Sequence, residues 1–146
     1  MLKLKTLLVI FLAFLVLYGC TNQKEQTIEL TGQSNSWLGR MIITKVGERY
    51  KKETIIKPKQ TLKISQLDYS SVTNNSELGE STHHITNKSE LQSNAYGENS
   101  VSGGDIHTDW TSIVQNTTSG QITIEWIEEG GNHNPKVEVV TLQRSE

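Results

Sequence analysis

The sequence predicts an all-β fold, an antiparallel sandwich of about seven to eight short strands. Three observations carry this expectation. Apolar and polar residues alternate along several short segments, the period of a half-buried strand. Clusters of Gly, Asn, Ser and Pro, the residues that turns demand, separate those segments. The chain past residue 20 shows neither a heptad pattern nor a strand–helix–strand rhythm.

Residues 27–31 alternate, with Ile28 and Leu30 on one face. Residues 32–36 form a turn cluster, and residues 37–46 a second strand. Trp37, Gly39, Met41 and Ile43 are assigned to its core face, because that leaves Arg40 and Thr44 outward. Gly47 and Glu48 turn the chain into a third strand over residues 50–57. Pro58 closes that strand, since its ring nitrogen cannot donate to a central ladder. In residues 60–72 the parity set by Leu62 and Ile64 shifts at Leu67 and Tyr69, as a bulge or bend would produce. Residues 73–76 turn again.

Residues 77–105 carry few apolar anchors: Leu78, Ile85, Leu91, Ala95 and Tyr96. Irregular strands are expected near residues 81–86 and 90–96. Residues 105–114 are expected to form another strand with Trp110 buried. After a turn at residues 117–120 comes the clearest strand, 121–126, with Ile122, Ile124 and Trp126 on one face. A polar loop over residues 128–135 leads to the last strand, 136–143. There Val137 and Val139 share one face while Val140 and Leu142 share the other, which predicts a bulge or burial on both sides. Trp37, Trp110 and Trp126 are the expected core, because aromatic residues are scarce beyond the N-terminal segment.

The N-terminal segment reads differently. Lys3 and Lys5 precede an apolar run over residues 6–18, which ends in Gly19-Cys20 and a polar stretch. Basic, apolar, then small is the order of a secretory signal peptide. The segment Leu17-Tyr18-Gly19-Cys20 resembles the lipobox of bacterial lipoproteins. The resemblance implies cleavage before Cys20 and a diacylglyceryl thioether on that residue, anchoring the protein to the extracytoplasmic side of the cell membrane. Cys20 is the one cysteine of the chain, so an internal disulfide is excluded. The expected organisation is a signal peptide over residues 1–19, a lipidated cysteine with a short tether over 20–26, and one β-domain over 27–146.

The segments Leu30-Thr-Gly-Gln-Ser-Asn-Ser-Trp37 and Ile122-Thr-Ile-Glu-Trp126, with Val101-Ser-Gly-Gly104 between them, also resemble a group of small lipoproteins of Bacillus-type bacteria. That likeness implies an immunoglobulin-like sandwich and carries over no catalytic residue.

Cleavage leaves twelve basic against sixteen acidic residues, a formal charge of −4. A domain of that charge is not expected to bind nucleic acid. The expected partners are membrane lipid, through the acyl anchor, and a cell-surface protein or cell-wall ligand. No cofactor is expected.

The strongest pattern for chemistry is Asp105, His107 and Asp109, which on a strand would project from one face and offer metal ligands. His83 and His84 are adjacent, so on a strand only one would join such a site, and His133 lies in the loop before the last strand. Solvated residues are the simpler reading of all of these. Glu128 and Glu129 are neighbours rather than a pair held across a cleft, as glycoside hydrolysis requires. No Gly-x-Ser-x-Gly elbow is present, and Cys20 is assigned to the lipid. The expected function is therefore a non-catalytic binding or accessory domain in the cell envelope. The alternatives are a metal-dependent or hydrolytic envelope enzyme, and a protein–protein adhesion or immunity module.

Overall fold

The computed structural model describes residues 26–91, 95–97, 101–130 and 134–144. Its strands are β1 (Thr27–Gln33), β2 (Trp37–Val46), β3 (Arg49–Pro58), β4 (Ile64–Thr73), β5 (Ser81–Ile85), β6 (Val101–Asp105), β7 (Ser119–Glu128) and β8 (Lys136–Arg144). Every pairing is antiparallel. The all-β expectation therefore holds. All eight strands fall in one sheet, in the order β5-β4-β7-β8-β1-β2-β3-β6, in place of the two separate sheets of a sandwich.

Alternation explains the sheet's apolar face. Ile28 and Leu30 on β1, Trp37, Met41 and Ile43 on β2, and Ile122, Ile124 and Trp126 on β7 are all buried. Strand side chains alternate between faces, so each strand contributes its inward half to a common core. The sheet curls until these halves meet. The rings of Trp37 and Trp126 lie 5.4 Å apart in an edge-on arrangement, and the Tyr96 ring lies 6.1 Å from that of Trp37. Gly39 makes the approach possible. A Cβ built there would lie 2.8 Å from Val140 Cγ1 and 3.0 Å from Ile122 Cδ1.

The parity shift in β4 is a bulge. Ile64 pairs with Glu128 but Gln66 with Ile127, so Ser65 is the extra residue. Its hydroxyl donates to the Ile127 carbonyl at 3.2 Å. The last strand, by contrast, runs in unbroken register against β7 and shows neither a bulge nor burial on both sides. Val140 and Leu142 point into the core, whereas Val137 and Val139 stay exposed. Glu138 shares the inward parity at the rim. Its carboxylate accepts from Ser34 Oγ at 2.5 Å, Ser36 Oγ at 2.6 Å and the Ser36 amide at 3.0 Å, which ties the β1–β2 turn to β8. Burial alone would raise the Glu138 pKa, but these donors hold it below the ordinary value.

Two segments differ from expectation. Residues 110–116 form a helix, Trp110–Asn116, rather than the second half of a strand. Trp110 and Ile113 are both buried, and a three-residue spacing places them on one helical face. On a strand they would point to opposite sides. Of residues 90–96 the described ones form no strand: Lys88–Leu91 is a short helix, and Tyr96 makes an isolated bridge with Ile56, while 92–94 lie outside the described residues.

Gly39→Val is expected to overpack the contact between β2 and the β7–β8 pair, lowering stability by about 1–3 kcal/mol. The urea midpoint, compared at unchanged slope, measures the loss.

Candidate functional site

The residues proposed as metal ligands are not brought together by the fold. Asp105 ends β6, where its carboxylate accepts from Arg49 Nε at 3.1 Å in an exposed ion pair. His107 lies in the exposed connection that follows, and Asp109 immediately precedes the Trp110–Asn116 helix. The strand stops at Asp105, so the alternation that would align the three side chains is absent. His83 and His84 do occupy a strand and face opposite ways. The His84 ring contacts the Asp68 carboxylate on the outer face. The Asp68 carboxyl feels burial, which opposes ionisation. Hydrogen bonds from Gln66 and His84 outweigh that effect and leave its pKa below the ordinary value. Cys20 and His133 lie outside the described residues. Among the described residues, no group of three His, Cys, Asp or Glu side chains is placed to hold a metal ion. Glu128 is held by Lys136 Nζ at 2.8 Å, and its neighbour Glu129 is exposed.

The most unusual chemistry lies elsewhere, at Lys52. This residue sits on the inward parity of β3 and is 1% exposed. Its ammonium donates to the carbonyls of Leu78 (3.2 Å) and Gly79 (2.7 Å). Those carbonyls belong to the Ser76–Leu78 3₁₀ turn and the glycine that caps it, in the link between β4 and β5. Gly79 has φ +58°, a left-handed conformation that favours glycine. Two residues along β3, Thr54 Oγ1 lies 2.8 Å from Ser71 Oγ on β4, both buried. Inward on β5, the His83 ring stacks on Tyr69 with centroids 4.8 Å apart. A polar cluster thus lines the inner face where β3 meets β4 and β5.

Burial lowers the Lys52 pKa from its ordinary value to about 8, against a smaller opposing pull from Glu80. Burial also lowers the His83 pKa, and the positive charge of Lys52 adds to that effect. A buried lysine is not visible to pattern reading, because Lys52 lies in the consecutive charged run Lys51-Lys52-Glu53. The one available signal was its parity, shared with Ile56.

A second feature is a shallow groove of about 260 Å³ on the outer face, lined in part by Val72, Gln121, Thr141 and Gln143. The Asn74 amide at its edge is already engaged by Asn116, Thr118 and Ser119.

Comparison of the chain with protein-family models, with curated proteins and with solved structures finds no match.

Lys52 gives stability a defined pH dependence. Between its folded pKa of about 8 and its ordinary value of 10.5, the unfolded chain holds a proton that the folded one has released. Stability therefore rises with pH through that window. Between pH 8 and 9.5 the gain is expected to be about 1–2 kcal/mol. Urea unfolding across that range should show it in the native chain and not in Lys52→Met.

Proposed function

We propose that this chain is a bacterial lipoprotein, cleaved before Cys20, carrying diacylglyceryl on that thiol, and displaying its β-domain from the extracytoplasmic face of the cell membrane as a binding or accessory module. The observation that carries this reading is the sequence Leu17-Tyr18-Gly19-Cys20, followed after only six residues by the first strand. Six extended residues reach about 20 Å at most. The domain would then sit close to the bilayer with its Thr27 end nearest.

Strand register says what that end contains. Thr27 pairs with Thr44, beside the Gly47-Glu48 turn and on the side where β8 finishes at Arg144. The opposite end holds the Ser34–Ser36 turn, Pro58, Trp126 and Lys136. Lipid is the anchor in this reading, since the acyl chains contribute about 0.8 kcal/mol per buried CH₂ and the mature charge is negative. Among the described residues, no helix is long and apolar enough to cross a membrane.

A protein partner is favoured over a small ligand by one observation. Val137 and Val139 expose 56% and 48% of their surfaces on the half of β8 turned away from the tether. That half pairs with β7, while the β1 ladder covers only Leu142–Arg144. Exposed apolar side chains beside a partly unpaired strand suit strand-type recognition.

Intact mass of the detergent-extracted protein tests the anchor. A mass equal to residues 20–146 plus diacylglyceryl is expected, and Cys20→Ala should lack the diacylglyceryl mass and keep its signal peptide. An unlipidated 20–146 product, or the full chain with residues 1–19 intact, would overturn the lipoprotein reading.

A further inference from the structure

Seven strand interfaces of the sheet are closed by ladders. Among the described residues, no ladder joins the two edge strands, β5 and β6. Across that seam the sheet is held by side chains instead. Lys52 reaches the Leu78 and Gly79 carbonyls, and Thr54 meets Ser71. Thr108, beyond β6, donates to the Glu77 carboxylate in the 3₁₀ turn. A Cβ built on Gly79 would lie 3.7 Å from Tyr50 Oη, so β3 also reaches the turn through Tyr50. Beside the buried Leu78 these ties are polar, and the Lys52 tie holds a buried charge that its surroundings disfavour. Such a tie is sensitive to a second charge placed beside it.

His83 is in position to supply that charge. It lies inward on β5, half-buried against Tyr69, and it feels the positive charge of Lys52. The other titratable groups around the seam can be named. Glu80 precedes β5 and favours the charged form of Lys52. Glu77 is engaged by Thr108. Tyr50 and Tyr69 line β3 and β4, and burial raises the Tyr50 pKa. His84 and Asp68 pair on the outer face, away from the inner cluster.

We propose that the seam between β3 and the β4–β5 link is an acid-released latch, closed while His83 is neutral and loosened when His83 takes up a proton beside Lys52. The sign follows from linkage. The folded, closed state binds a proton at His83 less readily than the open chain does, so closure weakens as pH falls below the ordinary histidine range. Opening would expose the Thr54–Ser71 pair and the β5 edge, while the β7–β8 ladder stays intact. A local opening of this kind draws on a region that no backbone ladder closes.

Hydrogen exchange on the full-length chain in detergent, corrected for the intrinsic pH dependence of exchange, tests the latch. Peptides covering residues 76–85 and 101–105 are expected to lose protection several-fold between pH 7.5 and 5, while residues 119–128 and 136–144 keep theirs. His83→Phe retains a ring to stack on Tyr69 but cannot take a proton, and should hold the seam protected at pH 5. A proton NMR titration of the wild-type histidines supplies a second readout, with the His83 midpoint below the ordinary value and coincident with the loss of protection. Seam protection independent of pH, or an equal loss in His83→Phe, would overturn the proposal. So would a His83 titration that passes without any change in exchange.

Discussion

Trp37 stands where the two halves of the sheet meet, fully buried between Trp126 and Tyr96. One sheet with one apolar face has no second layer to cover it, so it must curl and cover itself. That requirement sets the rest of the architecture. Gly39 lets β2 approach β7 and β8 closely enough for their side chains to interdigitate. The Trp110–Asn116 helix contributes Trp110 and Ile113 to the same core, and Leu91 and Tyr96 join it too. Glu138 fastens the β1–β2 turn that would otherwise overhang the rim.

Curling also creates the seam. A sheet that stops short of a closed barrel leaves two edge strands, and edges need management. Here the inner face near the edges carries Lys52, Thr54, Ser71 and Ser81 in place of aliphatic residues. Burying an ammonium costs several kcal/mol, which hydrogen bonds to two carbonyls only partly offset. The core therefore has an apolar centre around the tryptophans and a polar margin around Lys52. Stability is distributed unevenly between them.

The same geometry bears on function. If the chain hangs from lipid at Cys20, the short tether and the direction of β1 orient the domain. The Thr27 end then lies near the bilayer and the Val137–Val139 face lies away from it. An envelope module that meets partners at its outer end needs no catalytic cluster. Asp105, His107 and Asp109 are divided between a strand end, a connection and a helix start. The polar margin offers such a module a means of responding to acidity.

By itself the sequence determined most of the strands, their parity and the turns between them. Residues 37–46, for example, appear as a strand with the expected inward face, and the shift after Ile64 appears as the Ser65 bulge. These features follow from local alternation and turn chemistry, which act within a few residues. Only the tertiary structure decided the helix at Trp110, because a spacing of three marks one helical face only once Trp110 and Ile113 are known to be buried together. Only it decided that the strands form one curled sheet, and that Lys52 and His83 share a seam although thirty-one positions apart. Period-two patterning states which way a side chain points. What lies opposite depends on contacts between distant segments, and that is where this chain places its buried charge.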